Sequence, residues 1–431
     1  MNNSIKTSFT KETIAIKPET NMAGYGGRVS KGINDDLYVR TILFKDQEEI
    51  FILIQLDLLA IDYYFSDLIK ENLKEKFNIK YENVNISCIH THSGIGGIVN
   101  TKEAINKRYK KTFGDFDNSI TKEIISKIVL CAEKCINSTE NFTISYGKDI
   151  VGGICTDRNN RENKIDNSLQ VLHIKTQSNK QAVIYNFACH PTILEKSNEF
   201  ISADFPGETS KFLEENNIAL AMFYNGACGN ISTRFTKMES SFKEVRRTGR
   251  ELGENILDIV NKCKQNNLDF SNIKQVHKNI ILNIKENNTK ENIEKQIAII
   301  KNKIQNALEN SFDTNKIKPL YFELEGAKRN LELAENLKDI KTIEIRISIT
   351  KFEHIYIVYL PGELFSSLGD KIKDAFKDKK ILITCYSNGY IGYIPDEKAY
   401  DNGCFEVMLT VLAKGEGEKL VLDVINQIKN I

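Results

Sequence analysis

The feature that most constrains the fold is a short apolar segment that ends in two histidines and a glycine-rich loop. Residues 83–86 alternate between polar and apolar side chains, which predicts a strand, and the chain then passes through His90 and His92 into a loop with three glycines within residues 94–97. On an extended backbone, side chains two residues apart point to the same face, so the two imidazoles would project together. The glycines let another group approach the backbone closely.

A pair of imidazoles at a strand end suits a metal site, or one metal ligand beside one acid–base group. Two surface histidines are the alternative, because an HxH pattern alone is a weak motif. The chain has six histidines in 431 residues, and a third, His190, follows another apolar segment over residues 182–189. This repetition favours a functional site.

Composition excludes some classes of protein. The net charge is +1, from 59 basic and 58 acidic residues, so no bulk field favours nucleic acid. The first residues contain no apolar segment typical of a signal peptide, and no later run reaches transmembrane length. Nine cysteines, an odd number, are scattered along the chain. Together these features predict a cytoplasmic protein with no transmembrane segment and no nucleic-acid partner.

The order of predicted elements indicates an α/β fold in which strands alternate with helices. Alternating and apolar runs predict strands over residues 37–44 and 49–59, and amphipathic spacing predicts a helix over most of 111–136. Residues 286–334 have a highly charged helical pattern, which we interpret as an external helical hairpin. Because no repeat or low-complexity linker divides the chain, residues 1–431 are predicted to form a single domain.

Several polar residues leave alternatives open. Asp57 lies in an apolar run and must be either paired or placed behind a metal ligand. Arg158 and Arg161 are either solvated loop charges or groups that bind a substrate hydroxyl or carboxylate. Ser232 lacks the GxSxG elbow sequence, which gives little support to a serine-hydrolase triad. The cysteines read as buried thiols, with a thiol ligand or nucleophile as the rarer alternative.

Ligand-type side chains recur where predicted strands end, in segments that are far apart in the sequence. These residues are His90, His92, His190, Glu363 and Tyr393. Such distant segments cannot form a local structural zinc knuckle. They are typical of an active site at one edge of a sheet, with nitrogen and oxygen ligands and an open position for water.

The sequence resembles the neutral (non-lysosomal) ceramidase family in its catalytic domain. The most specific match is His90-Thr91-His92-Ser93-Gly94 followed by Gly96-Gly97. Further similar segments, in the family's order, are Asn21-Met22-Ala23-Gly24-Tyr25, Phe187-Ala188-Cys189-His190-Pro191-Thr192, Gly229-Asn230-Ile231-Ser232, Pro361-Gly362-Glu363 and Tyr390-Ile391-Gly392-Tyr393. The matches cover nearly the whole chain.

The resemblance implies a fold, a cofactor and a set of site residues. The fold is a layered αββα sandwich with mixed sheets. The implied cofactor is zinc, held by His90, His190, Glu363 and Tyr393. The implied catalytic groups are His92, Arg158 and Ser232, and the implied substrate-binding residues are Arg158, Phe405, Gly24 and Tyr25.

Departures from the family pattern bear on the substrate. Phe405 stands where the family has a substrate-binding tyrosine, and Thr233 stands where it has a proline. We expect no C-terminal β-sandwich domain and no export signal in this chain. The predicted function is a zinc-dependent amidohydrolase that cleaves an N-acyl amide, soluble or lipid-like, by a zinc-activated water, without efficient turnover of membrane-embedded ceramide. The alternative is a catalytically silent binding protein with the same fold.

Overall fold

A computed structural model of the chain describes all residues except 1–4, 18, 47–48, 104, 264–266, 269, 271, 287–289, 310–313 and 338–339. The strands of the described part are β1 (Lys6–Thr13), β2 (Asn21–Met22), β3 (Arg28–Val29), β4 (Gly32–Ile33), β5 (Tyr38–Lys45), β6 (Ile50–Leu56), β7 (Val84–Cys88), β8 (Phe142–Ile150), β9 (Thr156–Asp157), β10 (Ser168–Thr176), β11 (Gln181–Phe187), β12 (Phe200–Ile201), β13 (Leu220–Asn225), β14 (Ile231–Ser232), β15 (Asn267–Leu268), β16 (Ile273–Asn283), β17 (Thr342–Phe352), β18 (Ile355–Tyr359), β19 (Glu363–Leu364), β20 (Lys380–Thr384) and β21 (Tyr393–Ile394).

The helices alternate with these strands along the chain. They are α1 (Tyr63–Phe77), α2 (Lys110–Phe113), α3 (Asn118–Ile136), α4 (Asp204–Glu215), α5 (Phe242–Cys263), α6 (Lys290–Glu309), α7 (Thr314–Asn336), α8 (Ser366–Asp374), α9 (Glu397–Asn402), α10 (Phe405–Leu409) and α11 (Glu416–Asn430). None of the helices within the described residues is both long and apolar enough to cross a membrane.

Three larger sheets form the body of the molecule. The first sheet has the order β1-β5-β6-β7, the second β13-β11-β10-β8-β15, and the third β16-β17-β18-β20. Each is mixed: β6 and β7 are parallel, as are β11 and β13, and β18 and β20, while the other neighbours are antiparallel. The parallel pairs bring the carboxyl ends of β7, β11 and β18 to a loop-rich edge.

Alternating side chains show how the sheets are layered. On β6, Leu53 packs in a core shared by all three sheets, together with Ile184 of β11 and Ile357 of β18, whereas the next residue, Ile54, packs on the opposite face. Helix α3 packs on the outer side of the first sheet, α4 and α5 on that of the second, and α11 on the third. The predicted layered α/β architecture with mixed sheets is therefore confirmed.

The helical hairpin predicted near residues 286–334 corresponds to α6 and α7. Apolar residues spaced three and four apart, such as Ile300, Ile304 and Ala307 on α6, form a small core with Ile317 and Leu324 of α7. This core is separate from that of the sheets, so the hairpin packs on the outside. The connection over residues 310–313 lies outside the described residues.

Asp57, directly after β6, is buried and paired. Its carboxylate accepts two bonds from Nη1 of Arg40 on β5, at 2.7 and 2.6 Å, one from Nε2 of Gln55 at 2.7 Å and one from the amide of Tyr38 at 2.9 Å. A buried carboxylate needs such partners to offset the loss of hydration. The sequence left open whether Asp57 is paired or placed behind a metal ligand, and the structure shows that it is paired.

We expect Asp57→Ala to lower the free energy of unfolding by about 3–5 kcal/mol, because it leaves Arg40 buried without its partner. The nearest remaining carboxylate oxygen, on Glu214, lies 3.8 Å from Nε of Arg40. Denaturant unfolding measures the change. Glu291→Ala is the control, since the Lys295–Glu291 pair is exposed and worth about 0.5 kcal/mol or less. A loss below about 1 kcal/mol for Asp57→Ala would show that the pair does not hold these strands together.

Candidate active site

The site lies at the edge where the three sheets bring their parallel strand ends together. His90 and His92 follow β7 of the first sheet, His190 follows β11 of the second, and Glu363 follows β18 of the third. Glu363 pairs directly with Tyr393 through the short parallel strands β19 and β21. The five strand-end residues identified in the sequence are thus gathered at one edge of the molecule.

His90 does not continue the extended strand as the sequence pattern predicted. Strand β7 ends at Cys88, and His90 adopts a left-handed conformation with φ of 72°. Its amide donates to the carbonyl of Leu58 at 2.9 Å, which holds this bend in place. The rings of His90 and His92 lie 4.9 Å apart at 88°, so the two imidazoles meet through a bend in the backbone and not through strand alternation.

Two imidazoles are fixed in the tautomer that leaves Nε2 free. Nδ1 of His90 lies 2.8 Å from the carbonyl oxygen of Leu59, and Nδ1 of His190 lies 2.7 Å from that of Cys228. A carbonyl oxygen only accepts, so Nδ1 carries the proton in both rings. This outer hydrogen bond is the usual partner of a metal-binding histidine.

The distances between the free atoms match those of a tetrahedral metal site. Nε2 of His90 lies 3.3 Å from Nε2 of His92 and 3.5 Å from Oε2 of Glu363, which is 2.9 Å from Nε2 of His190. The ligand atoms of the three histidines all lie within 4.8 Å of one another. Two ligand atoms at about 2.0–2.1 Å from a tetrahedral zinc are roughly 3.3 Å apart, so this donor set fits the ion.

The protonation states of Glu363 and His190 also favour the binding of a cation. Burial disfavours the charged form of Glu363, but the adjacent His90 and His190 outweigh this effect and hold the pKa of the carboxyl well below its ordinary value. Burial and the charge of Arg158 lower the pKa of His190 to about 4. The carboxylate is therefore anionic and His190 neutral at neutral pH, which are the forms that bind metal.

Two tyrosines without a role in the sequence-based prediction support these ligands. The hydroxyl of Tyr390 donates to Oε1 of Glu363 at 2.5 Å. The ring of Tyr386 stacks on His90, with centroids 3.8 Å apart at 16°. The segment identified in the sequence begins at Tyr390 and does not include Tyr386, so only the folded contacts show that both tyrosines touch the cluster.

Arg158 joins Tyr393 to a buried carboxylate. Its Nη2 donates to the Tyr393 hydroxyl at 3.0 Å and to the carbonyl of Gly229 at 2.8 Å, and its Nε donates to Oε1 of Glu406 at 2.6 Å. Burial opposes the charge of Arg158, but Tyr393 and Glu406 outweigh it and raise the pKa of the guanidinium above its ordinary value. Glu406 was not predicted as a site residue, because no motif in the sequence marks it. By contrast, Arg161 is exposed beside Glu162.

His92 is surrounded differently from the other two imidazoles. Its Nδ1 is buried without a hydrogen-bond partner among the described residues. Gly24 lies so close that a Cβ there would be 2.9 Å from this Nδ1, and the Tyr25 ring centroid is 5.0 Å from that of His92. Burial, together with the two neighbouring imidazoles, holds the pKa of His92 well below its ordinary value.

The remaining predicted residues lie next to this cluster. Ser232 is buried and forms a backbone bridge with His190, and its hydroxyl accepts from the amide of Arg234 at 3.3 Å. Phe405 begins α10 and directly precedes Glu406. The cysteines are unpaired, and none belongs to the histidine cluster found in the described chain; burial raises the pKa of Cys385, for example, to about 12.

Comparison with known sequences gives a family match. Residues 15–226 match the model for the N-terminal part of neutral/alkaline non-lysosomal ceramidase. Neutral ceramidase 1 of Arabidopsis thaliana is 25% identical over 214 residues, which are 46% of this chain and 27% of the relative. Neutral ceramidase 2 is 23% identical over 233 residues, 50% of this chain and 30% of the relative. The aligned region thus spans less than a third of each plant protein.

Comparison with solved structures covers nearly the whole chain. The neutral ceramidase of Pseudomonas aeruginosa superposes with a TM-score of 0.76 and 15% identity, over 99% of this chain and 75% of that one. A ceramidase complexed with C2 gives the same TM-score and identity over 99% and 76% of the two chains. The sequence match covers residues 15–226, just under half of the chain, and the shared fold covers nearly all of it, so the chain is similar to the neutral/alkaline non-lysosomal ceramidases in this part of its sequence and in its fold.

Proposed function

We propose that this protein is a zinc-dependent hydrolase of N-acyl amide bonds. The observation that carries the proposal is the convergence of the buried Nε2 atoms of His90 and His190 on Oε2 of Glu363, at distances compatible with a shared tetrahedral ion. The match of residues 15–226 to the ceramidase model, and the plant and Pseudomonas ceramidases that the chain resembles, support the amide as the bond that is cleaved.

The residues that would hold zinc are His90, His190, Glu363 and Tyr393. The first three are buried, whereas Tyr393 is half-buried, so an incoming substrate would approach from the side of the tyrosine. Zinc bound there would supply a water of pKa about 7 and a Lewis acid for the amide carbonyl.

His92 is the group we propose for proton transfer. Among the described residues Nδ1 of His92 has no hydrogen-bond partner, so this nitrogen is free to accept a proton and later deliver it to the leaving amine. Gly24 and Tyr25 pack against its ring and would fix the orientation of both the imidazole and the amine portion of the substrate.

Arg158 and Tyr393 are the groups we propose for stabilising developing negative charge. Arg158 donates from Nε to Glu406 and from Nη2 to the Tyr393 hydroxyl, which fixes the orientation of the guanidinium and of the tyrosine oxygen. Preorganised donors of this kind are worth most in a site from which water is excluded. Ser232 and Phe405 would contact the substrate beside His190 and Glu406.

A substrate panel with metal analysis tests the function. We expect about one zinc per chain, and zinc-dependent hydrolysis of N-acyl amino acids, N-acyl amines or acylated sugars with higher kcat/KM than that of ceramide. Phe405 motivates this order, because a phenyl ring leaves a substrate hydroxyl without its hydrogen bond. Arg158→Gln should abolish most activity, and Arg161→Gln, a matched exposed arginine, should not.

Three outcomes would contradict parts of the proposal. If ceramide were the best substrate, the expected substrate preference would be wrong, but the proposal that the protein hydrolyses amide bonds would stand. A protein loaded with zinc that hydrolyses none of the amides would instead be a silent binding protein. Equal activity in Arg158→Gln and Arg161→Gln would remove Arg158 from the site.

We also propose that residues 1–431 act as a single catalytic domain with residues 286–334 as an insertion, and that the protein is cytoplasmic. The core shared by the three sheets supports the first proposal, and the nine unpaired thiols support the second. Calorimetry tests the domain proposal by the number of unfolding transitions. Cell fractionation tests the location.

A further inference from the structure

A cavity of about 360 Å³ lies between α1, the turn that precedes β7, and strands β16 and β17. None of its lining residues belongs to the histidine cluster or to the groups proposed above for hydrolysis. Pockets that hold small molecules range from about 300 to 1,000 Å³. This cavity is therefore large enough for a small ligand of its own.

Lys70 of α1 is a buried cation in this lining that has no counter-ion. It is 3% exposed and forms neither an ion pair nor a hydrogen bond with the described residues; Nζ lies 4.5 Å from the ring centroid of Tyr81. Its Nζ is not one of the unpartnered polar atoms that are sealed from solvent, because Lys70 lines the cavity. Burial lowers the pKa of Lys70 to about 8, so the ammonium group is still mostly charged at pH 7. Its N–H donors are therefore available to an anionic oxygen in the cavity.

Arg346, the other cation in the lining, is already neutralised by Asp67. Nη1 of Arg346 donates to Oδ1 of Asp67 at 2.7 Å and to the hydroxyl of Tyr81 at 3.0 Å, and that hydroxyl in turn donates to Asp67. The oxygen of Asp67 that faces this group is thus shared by two donors. The three side chains together carry no net charge and leave the ammonium group of Lys70 uncompensated.

The outer part of the cavity presents hydrogen-bond acceptors. Glu82 and Glu344 are exposed, so their carboxylates lie where the cavity opens to solvent. Burial lowers the pKa of His277 to about 4, which keeps this ring neutral at pH 7. Nε2 of His277 donates to the carbonyl of Glu82 at 2.6 Å, so its Nδ1 carries no proton and is an acceptor. This end of the cavity suits a group that only donates.

The inner wall is preformed by Asn388. Its Oδ1 accepts from the amide of Ile86 on β7 at 3.0 Å, and its Nδ2 donates to Oγ of Ser348 on β17 at 2.9 Å. Asn388 and Ser348 are both buried and both line the cavity. A wall fixed by bonds to two sheets does not have to be ordered when a ligand binds, which lowers the cost of binding.

We propose that this cavity binds a small zwitterion of the amino-acid class, with its carboxylate on Lys70 and its ammonium group on the side of Glu82 and Glu344. A buried charge is costly unless it is paired, and hydrogen bonds between ionised groups are the stronger kind. A simple carboxylate would meet the two exposed carboxylates, and a simple amine would leave Lys70 without a counter-ion. The proposal does not depend on the proposed function, because no residue of the cavity has a role in hydrolysis.

A series of ω-amino acids tests the site by calorimetric titration. Glycine, β-alanine, γ-aminobutyrate and 5-aminovalerate separate the two charges by increasing lengths, and propionate and propylamine each carry only one. We expect one member of the series to bind about tenfold or more tightly than either singly charged compound, and Lys70→Met to weaken its binding about tenfold or more. Lys74→Met, an exposed lysine one turn along α1 that does not line the cavity, should leave binding within about twofold.

A second set of variants changes only exposed residues, which covers the case in which Lys70→Met does not fold. Glu82→Gln combined with Glu344→Gln should weaken binding of the zwitterion about threefold or more without weakening that of propionate. Glu71→Gln combined with Glu75→Gln changes the net charge equally at exposed positions outside the lining, and should have no such effect. Unchanged affinity in the folded cavity variants would overturn the proposal. So would propionate binding as tightly as every zwitterion, or no binding of the series to the wild type.

Discussion

Replacement of His190 by alanine is expected to remove zinc from the protein and, with it, nearly all amide hydrolysis. Nε2 of His190 lies 2.9 Å from Oε2 of Glu363, and Nδ1 is anchored on the Cys228 carbonyl. Even hydrogen-bond partners of metal ligands are worth about 10- to 100-fold in affinity, so loss of a ligand should cost at least about 100-fold. Metal content after dialysis, measured by plasma mass spectrometry, gives the result.

A second buried histidine provides the control. His173 lies on β10, outside the cluster, with Nε2 at 2.9 Å from Oε1 of Gln181. His173→Ala removes a buried imidazole of the same size, so any loss of zinc caused by general destabilisation should appear there as well. Undiminished zinc in folded His190→Ala protein would exclude His190 from the metal site.

His92→Ala should retain most of the zinc and lose roughly 100-fold or more in kcat, the usual size of a lost general acid or base. The reason is the hydrogen bonding of Nδ1, the ring nitrogen away from the metal, which differs among the three histidines. His90 and His190 each donate from Nδ1 to a carbonyl, as metal ligands do, whereas Nδ1 of His92 has no partner among the described residues. An imidazole without that anchor is better suited to exchanging protons than to holding an ion.

The two readouts must be measured on the same preparation. A His92→Ala protein with full zinc, low kcat and a flattened pH–rate profile is the expected result, because the profile reports the group that transfers the proton. If zinc leaves together with the imidazole, the Nε2 atoms of His90 and His92, 3.3 Å apart, share the ion and the ligand set must be reassigned.

Much of the site could be predicted because its signals are local. Apolar runs that precede His90, His190 and Glu363 are visible in the sequence, and the segments that hold these residues meet at one edge in the structure. The hydrogen-bond partners of these polar residues could not be predicted. Asp57 binds Arg40 and Arg158 binds Glu406, but in each pair the partner lies on another element, and no spacing rule in the sequence connects the two residues.

One local break could not be predicted, although the helical prediction around it is confirmed. The sequence predicts a helix over most of residues 111–136, but the structure has a short helix that stops at Phe113 and a second that starts at Asn118. Gly114 adopts φ of 75°, which ends the first helix, and the Asp117 side chain caps the second by accepting from the amide of Ser119. The amphipathic spacing on either side concealed this break.

Each of the three sheets leads into one buried member of the cluster: His90 follows β7 of the first, His190 follows β11 of the second and Glu363 follows β18 of the third. A folding intermediate with a single sheet formed could offer at most one of these groups. Tight capture of an ion would therefore occur only after all three sheets have docked, and the bound ion would stabilise that docking by mass action. Chelation should accordingly loosen the junction between the sheets before it loosens any one of them.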